Sequence, residues 1–180
     1  MKALVVIDML NDFVTGKIAN PRAEGIIPHI RDLVEKARSD RDEWLIAYAN
    51  DAHLPEDFEL KVWGEHSMKG TKGAEIIPEL RAEKGDYVLD KRTYSCFFET
   101  ALDTVLRAHD VREVVVTGLH TNICCRHTSA DAFFRGYVPV VPEDGVDAMD
   151  EQAHTSGLEY LKTIYQADVT NSSKILRKWK

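Results

Sequence analysis

Short apolar runs alternate along the chain with longer stretches of helical spacing. Three runs are almost continuously apolar: Ala3–Ile7 (ALVVI), Trp44–Ala49 (WLIAYA) and Glu113–Thr117 (EVVVT). Tyr87–Leu89 and Tyr137–Val141 are weaker examples, and Ala167–Thr170 is a candidate sixth. A strand with one wet face alternates apolar and polar residues; a strand buried on both faces does not. The runs therefore predict a parallel sheet covered by helices. Ile27, Ile30, Val34 and Ala37 recur at helical spacing before Trp44, as do Phe98, Ala101, Leu102, Val105 and Leu106 before Glu113. Thr121 to Arg135 forms a further helical segment that Gly136 is placed to end, and Leu158, Leu161 and Tyr165 continue the series. The alternation predicts an α/β fold: a doubly wound, mainly parallel six-stranded sheet with helices on both faces.

One stretch breaks the rhythm. Asn50 to Asp86 is long and carries Pro55, Gly64, Gly70, Gly73, Pro78 and Gly85. Connections of this length are usually functional or disordered, and Trp63 with nearby histidines and carboxylates favours function. The tail Lys174–Lys180 carries four basic residues and no acid, as a solvated or subunit-docking end would.

Composition narrows the picture. The 180 residues suit a single domain spanning 1–180, with 44% hydrophobic and 29% charged residues. That balance excludes a disordered or low-complexity chain. The net charge of −7 disfavours a nucleic-acid surface and an anionic membrane. No run reaches the roughly 18 apolar residues of a spanning helix. Met1 to Ile7 is stopped by Asp8 and reads as a buried strand, not a leader. The three cysteines, Cys96, Cys124 and Cys125, are odd in number and include an adjacent pair, so they make no disulfide framework. No C-x-x-C is present. A reducing cytoplasm is the expected compartment.

Ligands of open parallel sheets bind at the carboxyl ends of the strands. Asp8, Asn11, Asp12 and Phe13 follow the first run, and Asp51 and His53 the second. Asp90, Lys91 and Tyr94 follow the run at Tyr87–Leu89, and Gly118-Leu119-His120-Thr121-Asn122-Ile123-Cys124 follows the run at Glu113–Thr117. Four strand ends thus deliver chemistry to one edge. Cys124 falls in the first turn of a helix that Thr121 would cap, where the helix dipole favours a thiolate and free N–H groups could hold an oxyanion. Lys91 is the candidate to lower the thiol pKa further, and Asp8 the candidate proton acceptor. Position alone does not choose between a nucleophile and a small packed cysteine, the commoner state of a free thiol. Cys125 reads as a packing residue, and Cys96 precedes a helix too but lacks the glycine-rich approach.

Asp51-Ala52-His53 is a D-x-H pair, and His66 follows 13 residues later. One carboxylate and two imidazoles can hold zinc or a similar ion with positions left open. Spacing alone leaves a solvated loop as the commoner alternative. His29, His109, His127 and His154 read as surface residues on helices or their ends, while His120 could line a pocket.

Together these residues resemble the isochorismatase-like cysteine hydrolases, and within them the nicotinamidases. The resemblance runs from Leu4 to about Asp144. It rests on V-V-I-D-M-L-N-D-F at Val5–Phe13, N-D-A-H at Asn50–His53 and W-G-E-H at Trp63–His66, with D-K-R-T-Y-S-C-F at Asp90–Phe97 and V-T-G-L-H-T-N-I-C at Val116–Cys124. The combination is specific where no single piece is. It implies a catalytic triad of Asp8, Lys91 and Cys124, and a cis peptide between Leu119 and His120 that would aim the backbone N–H groups of His120 and Cys124 at the oxyanion. It implies that Asp51, His53 and His66 bind a divalent metal, usually zinc, which meets the pyridine nitrogen of the substrate. Phe13, Trp63 and Tyr94 match aromatic positions around the ring. The expected reaction is hydrolysis of nicotinamide to nicotinate and ammonia through a cysteine thioester. The expected partner is a small-molecule amide, with no nucleic acid and no membrane, in a homo-oligomer.

Two departures bear on the substrate. His120 stands where relatives usually have a small or aliphatic residue, and the stretch between His53 and His66 is shorter than in many of them. Both keep open another small amide, carbamoyl or ureido substrate. A non-catalytic metal or redox protein is a third reading, but adjacent cysteines bridge only with a strained peptide. A nucleotide-binding domain would need a glycine-rich phosphate loop after the first strand, and there is none.

Overall fold

A computed structural model describes residues 1–178. Its strands are β1 (Lys2–Ile7), β2 (Trp44–Asp51), β3 (Tyr87–Lys91), β4 (Glu113–Leu119), β5 (Val138–Pro142), β6 (Val146–Asp147) and β7 (Asp168–Thr170). They form one sheet in the order β3-β2-β1-β4-β5-β7, with β6 paired to β4, and each pairing is parallel. The sheet thus has seven strands rather than the six predicted. The extra one, β6, is two residues long and too short to leave a hydrophobic run.

The helices are α1 (Asn11–Val14), α2 (Ala23–Arg38), α3 (Leu60–Trp63), α4 (Leu102–Ala108), α5 (Cys124–Phe134), α6 (Glu151–Ile164) and α7 (Ser172–Lys178). Alternate residues of β1 serve opposite cores. Leu4 and Val6 pack with Ile30, Leu33 and Val34 of α2 and Ile175 of α7. Ala3, Val5 and Ile7 pack with Leu102 and Leu106 of α4, Ala132 of α5 and Leu161 of α6. Two dry faces explain why the strand is apolar at every position from Ala3 to Ile7. Each fully buried aliphatic side chain contributes about 1.5–3 kcal/mol. Phe98, predicted on the helix face before β4, lies outside α4 and is exposed. The tail docks on its own chain, with Ile175 in the α2 core and Ser172 bonded to Asp144 at 2.7 Å. The last two residues of the predicted tail lie outside the described residues. No helix among the described residues is long and apolar enough to cross a membrane.

From β1 the chain crosses by α2 to β2 on one side, while from β4 it crosses by α5 to β5 on the other. The carboxyl ends of β1 and β4 therefore frame the crevice where such folds bind ligands. Gly118 makes their approach close. It pairs with Ile7, has φ of +101°, and a Cβ there would overlap the Ile7 carbonyl. The long connection after β2 is tied back to this edge by Asp12. Its carboxylate accepts the Ser67 N–H at 2.8 Å and the Lys17 N–H at 3.2 Å. Gly73 packs against it, where a Cβ would collide with the carboxylate.

Candidate active site

Asp8 is the first residue beyond β1, fully buried at φ of +53°. Its Oδ1 accepts the Asp51 N–H at 2.8 Å. Lys91 ends β3, two positions beyond the apolar run, and is buried to 1% exposure. Its Nζ lies 2.9 Å from Asp8 Oδ2, 2.5 Å from Asp51 Oδ1 and 3.7 Å from Cys124 Sγ. One ammonium thus serves two carboxylates and a thiol away from water, where mutual attraction must offset a large loss of hydration. Burial pulls Lys91 down, but Asp51, Asp8 and Cys124 outweigh it and hold the ammonium well above its ordinary pKa. Burial and the Asp51 charge push Asp8 up to about 7 against the pull of Lys91. Burial also raises Asp51, but Lys91 and His53 outweigh it and keep that carboxyl low. Two neighbouring carboxylates therefore differ in proton affinity, with Asp8 the one able to exchange a proton near neutrality.

Cys124 opens α5, as predicted, but Thr121 does not cap the helix. The N-cap is Ile123, which has no side-chain cap. Thr121 Oγ1 instead lies 2.9 Å from His154 Nδ1, so His154 is not a free surface residue either. Nor is the thiol pKa lowered. Burial raises it well above the ordinary value, and Lys91 only partly offsets this. That direction favours the protonated thiol, so its use as a nucleophile calls for a base, and Asp8 shares Lys91 with it. Cys125 and Cys96 are fully buried, in keeping with packing roles.

The Leu119–His120 peptide is cis. The His120 carbonyl accepts the Ile123 and Cys125 N–H groups at 3.0 and 3.1 Å. The His120 ring stands edge-on to Phe13, with centroids 5.6 Å apart. It is 7% exposed, and its Nε2 has no hydrogen-bond partner among the described residues. Burial lowers its pKa to about 4, so it is neutral at pH 7.

Asp51, His53 and His66 come together as predicted. One potential ligand atom from each lies within 4.8 Å of the others. His53 Nδ1 is engaged by Asp57 Oδ2 at 3.0 Å, and His66 Nδ1 by the Gly64 carbonyl at 2.8 Å. Such outer contacts fix imidazole orientation and leave Nε2 for a metal. Both Nε2 atoms face Asp51 Oδ2, at 3.6 and 3.9 Å, and that of His53 is buried without a hydrogen-bond partner among the described residues. Asp57 is in turn held by Arg92. Asp51, Asp57 and Glu59 surround His53 and raise its pKa against burial, while burial lowers that of His66. This acidic, orphaned donor set fits a divalent cation.

A cavity of about 270 Å³ lies over these groups. Phe13, Trp63, Tyr94, Ile123 and Met149 supply apolar wall, and Asp51, His66, His120 and Cys124 supply polar atoms. All three predicted aromatic residues line it, and Trp63 Nε1 donates to the Tyr94 hydroxyl at 3.0 Å. Asp8, Lys91 and His53 are fully buried beneath the lining. Sequence reasoning missed Glu59, which lines the cavity with Oε1 buried and unpartnered and its pKa raised by burial and Asp51. Its only signal was its place in the long connection. Ile18 and Ala19, also in the lining, carried none.

The isochorismatase domain model matches residues 2–173. A solved N-carbamoylsarcosine amidase from Thermoplasma acidophilum is 44% identical, with TM-score 0.88 over 96% of this chain and 97% of that one. A pyrazinamidase/nicotinamidase from Streptococcus mutans is 32% identical, with TM-score 0.87 over 94% and 99%. A pyrazinamidase of Pyrococcus horikoshii, solved in complex with zinc, is 25% identical, with TM-score 0.87 over 94% and 98%.

Proposed function

The chain belongs to the isochorismatase family of hydrolases, and from that premise we propose a cysteine amidohydrolase that converts nicotinamide to nicotinate and ammonia. The observation that supports this most is one cavity lined at once by Cys124, by Asp51 and His66 of the candidate metal set, and by flat aromatic walls. In this proposal Asp8 accepts the Cys124 thiol proton, and Sγ attacks the amide carbon. Backbone N–H groups of His120 and Cys124 hold the resulting oxyanion. Asp8 returns the proton to the nitrogen, the C–N bond breaks and ammonia leaves a thioester. Asp8 then takes a proton from water as the water oxygen attacks the acyl carbon. The C–S bond breaks and the thiolate recovers the proton. Lys91 stays protonated throughout and holds Asp8 and the sulfur in register. Asp51, His53 and His66 would hold the metal, zinc in this proposal, whose Lewis acidity suits a pyridine nitrogen and a water.

Ammonia release from nicotinamide tests the reading, comparing wild type, Cys124→Ala and chelator-treated protein. Activity in the wild type and its loss in both other arms are expected. Metal-replete wild type that releases no ammonia would overturn the substrate assignment. A second reading, a carbamoyl or ureido substrate, has its own observation in the unpartnered Nε2 of His120 at the cavity. A ureido group carries a hydrogen-bonding nitrogen beside the scissile carbonyl, where nicotinamide has a ring carbon. The 44% identity to an N-carbamoylsarcosine amidase also supports it. Faster turnover of a ureido compound than of nicotinamide in a substrate panel would favour it.

A further inference from the structure

The turn from His120 to Cys124 is braced from the side away from the cavity. Thr121 is fully buried and is not among the lining residues. Its Oγ1 lies 2.9 Å from His154 Nδ1 on α6, and its N–H donates to the Asp147 carbonyl at 2.9 Å. Asp147 sits on β6 in register with Leu119. Its Oδ1 accepts from Arg22 Nε and from the Ala148 N–H, each at 2.8 Å, and lies 3.7 Å from His154 Nδ1. Gly157 of α6 closes the packing, since a Cβ there would come within 3.1 Å of Thr121 Cγ2 and 3.2 Å of the Asn122 nitrogen. The turn has no support from a cap: among the described residues no side chain caps α5 at Ile123.

We propose that Thr121 and His154 are positioning residues, which hold the turn so that Cys124 Sγ and the N–H groups of His120 and Cys124 stay aimed into the cavity. The proposal rests on the reading of Cys124 as the nucleophile. Losing one oxyanion donor costs about 10²–10³ in kcat, and a shift of about 1 Å in a reacting group can cost ~10²-fold. The brace holds both kinds of group through the Thr121–His154 contact to α6, alongside the Thr121 N–H bonded to Asp147 on β6.

The test compares Thr121→Val, Thr121→Ser, His154→Leu, His154→Asn and the double variant Thr121→Val/His154→Leu. Three quantities are read: kcat and KM for ammonia release from nicotinamide, the rate of Cys124 alkylation by iodoacetamide followed by peptide mass, and thermal unfolding. Thr121→Val and His154→Leu should each lower kcat roughly 10–100-fold, with KM within about threefold and a parallel fall in the alkylation rate. Thr121→Ser and His154→Asn keep a hydrogen-bonding atom in place and should recover most of the rate. The double variant should be no worse than the poorer single one, as residues in one contact are not additive. Additive losses, absent rescue, or rates that only track the unfolding temperature would overturn the proposal. Should Thr121→Val fail to fold, the His154 pair carries the same test from the less buried partner. Alkylation needs no substrate. Labelled wild-type Cys124 with no ammonia release therefore counts against nicotinamide and leaves the brace to be judged on labelling rates. Wild-type Cys124 that neither labels nor supports ammonia release would overturn the nucleophile and the brace together.

Discussion

The two ends of β3 carry mirror-image charge clusters. Before its first residue, the Asp86 carboxylate lies between two guanidinium groups, 2.6 Å from Arg38 and 3.0 Å from Arg41, and accepts the Glu83 N–H at 2.9 Å. At its last residue, the Lys91 ammonium lies between two carboxylates, Asp8 and Asp51. Water separates their behaviour. The Arg38 and Arg41 side chains keep 16% and 36% exposure, whereas Asp8, Asp51 and Lys91 keep at most 2%. Burial raises Asp86, but the hydrogen bonds from Arg38, the Glu83 N–H and Arg41 outweigh it, and its carboxyl is held below the ordinary value. In the second cluster burial dominates at Asp8 and brings it to about 7. The same ingredients make a fixed clamp where cations stay hydrated and a proton-exchanging group where nothing does.

Removing the central charge from each cluster would break or sharpen this contrast. The largest effect is expected at Lys91→Met, which leaves Asp8 and Asp51 facing each other. Ammonia release should fall by at least about 10³-fold, the scale of losing one member of a catalytic set. Breaking a buried pair should also cost roughly 3–5 kcal/mol in chemical denaturation. A variant retaining a tenth of wild-type activity would end the assignment of Lys91. Asp86→Asn should cost less, about 1.5–3 kcal/mol for hydrogen bonds to charged groups, with kcat per folded molecule unchanged. A drop in kcat at full folding would show that the clamp reaches the chemistry. The smallest effect is in acid. Because the folded pKa of Asp86 lies below 3.8, its contribution is complete above that value and is lost as pH falls through the lower folded value. Asp86→Asn should therefore flatten stability against pH below about 4, read by urea titration at successive pH values. An unchanged acid slope would mean that Asp86 carries none of it.

Much of this arrangement is legible in the residues. Buried strands announce themselves by unbroken apolar runs, and a parallel sheet must gather the residues just beyond those runs at one edge. That logic places Asp8, Asp51, Lys91 and Cys124 together from the sequence alone. It fails where an outcome depends on competition between neighbours. Thr121 looks like a helix cap, but His154, 33 residues away, takes its hydroxyl. A thiol beside a lysine looks acidic, yet desolvation exceeds the charge effect at Cys124. β6 is two residues long, and Glu59 has no motif, so neither leaves a periodic trace.

β3 is also one edge of the sheet, paired with β2 among the described strands, and Val88 in its middle is 55% exposed. Edge segments with few buried contacts open at a lower free energy than the core. Here an opening of that kind would carry Lys91 away from the sulfur while β1 and β4 remain folded. Amide protons of β3 should then exchange with deuterium well before those of β1. In mild urea, catalysis should fade ahead of global unfolding. The working lifetime of the centre would then be set by the fraying of one strand.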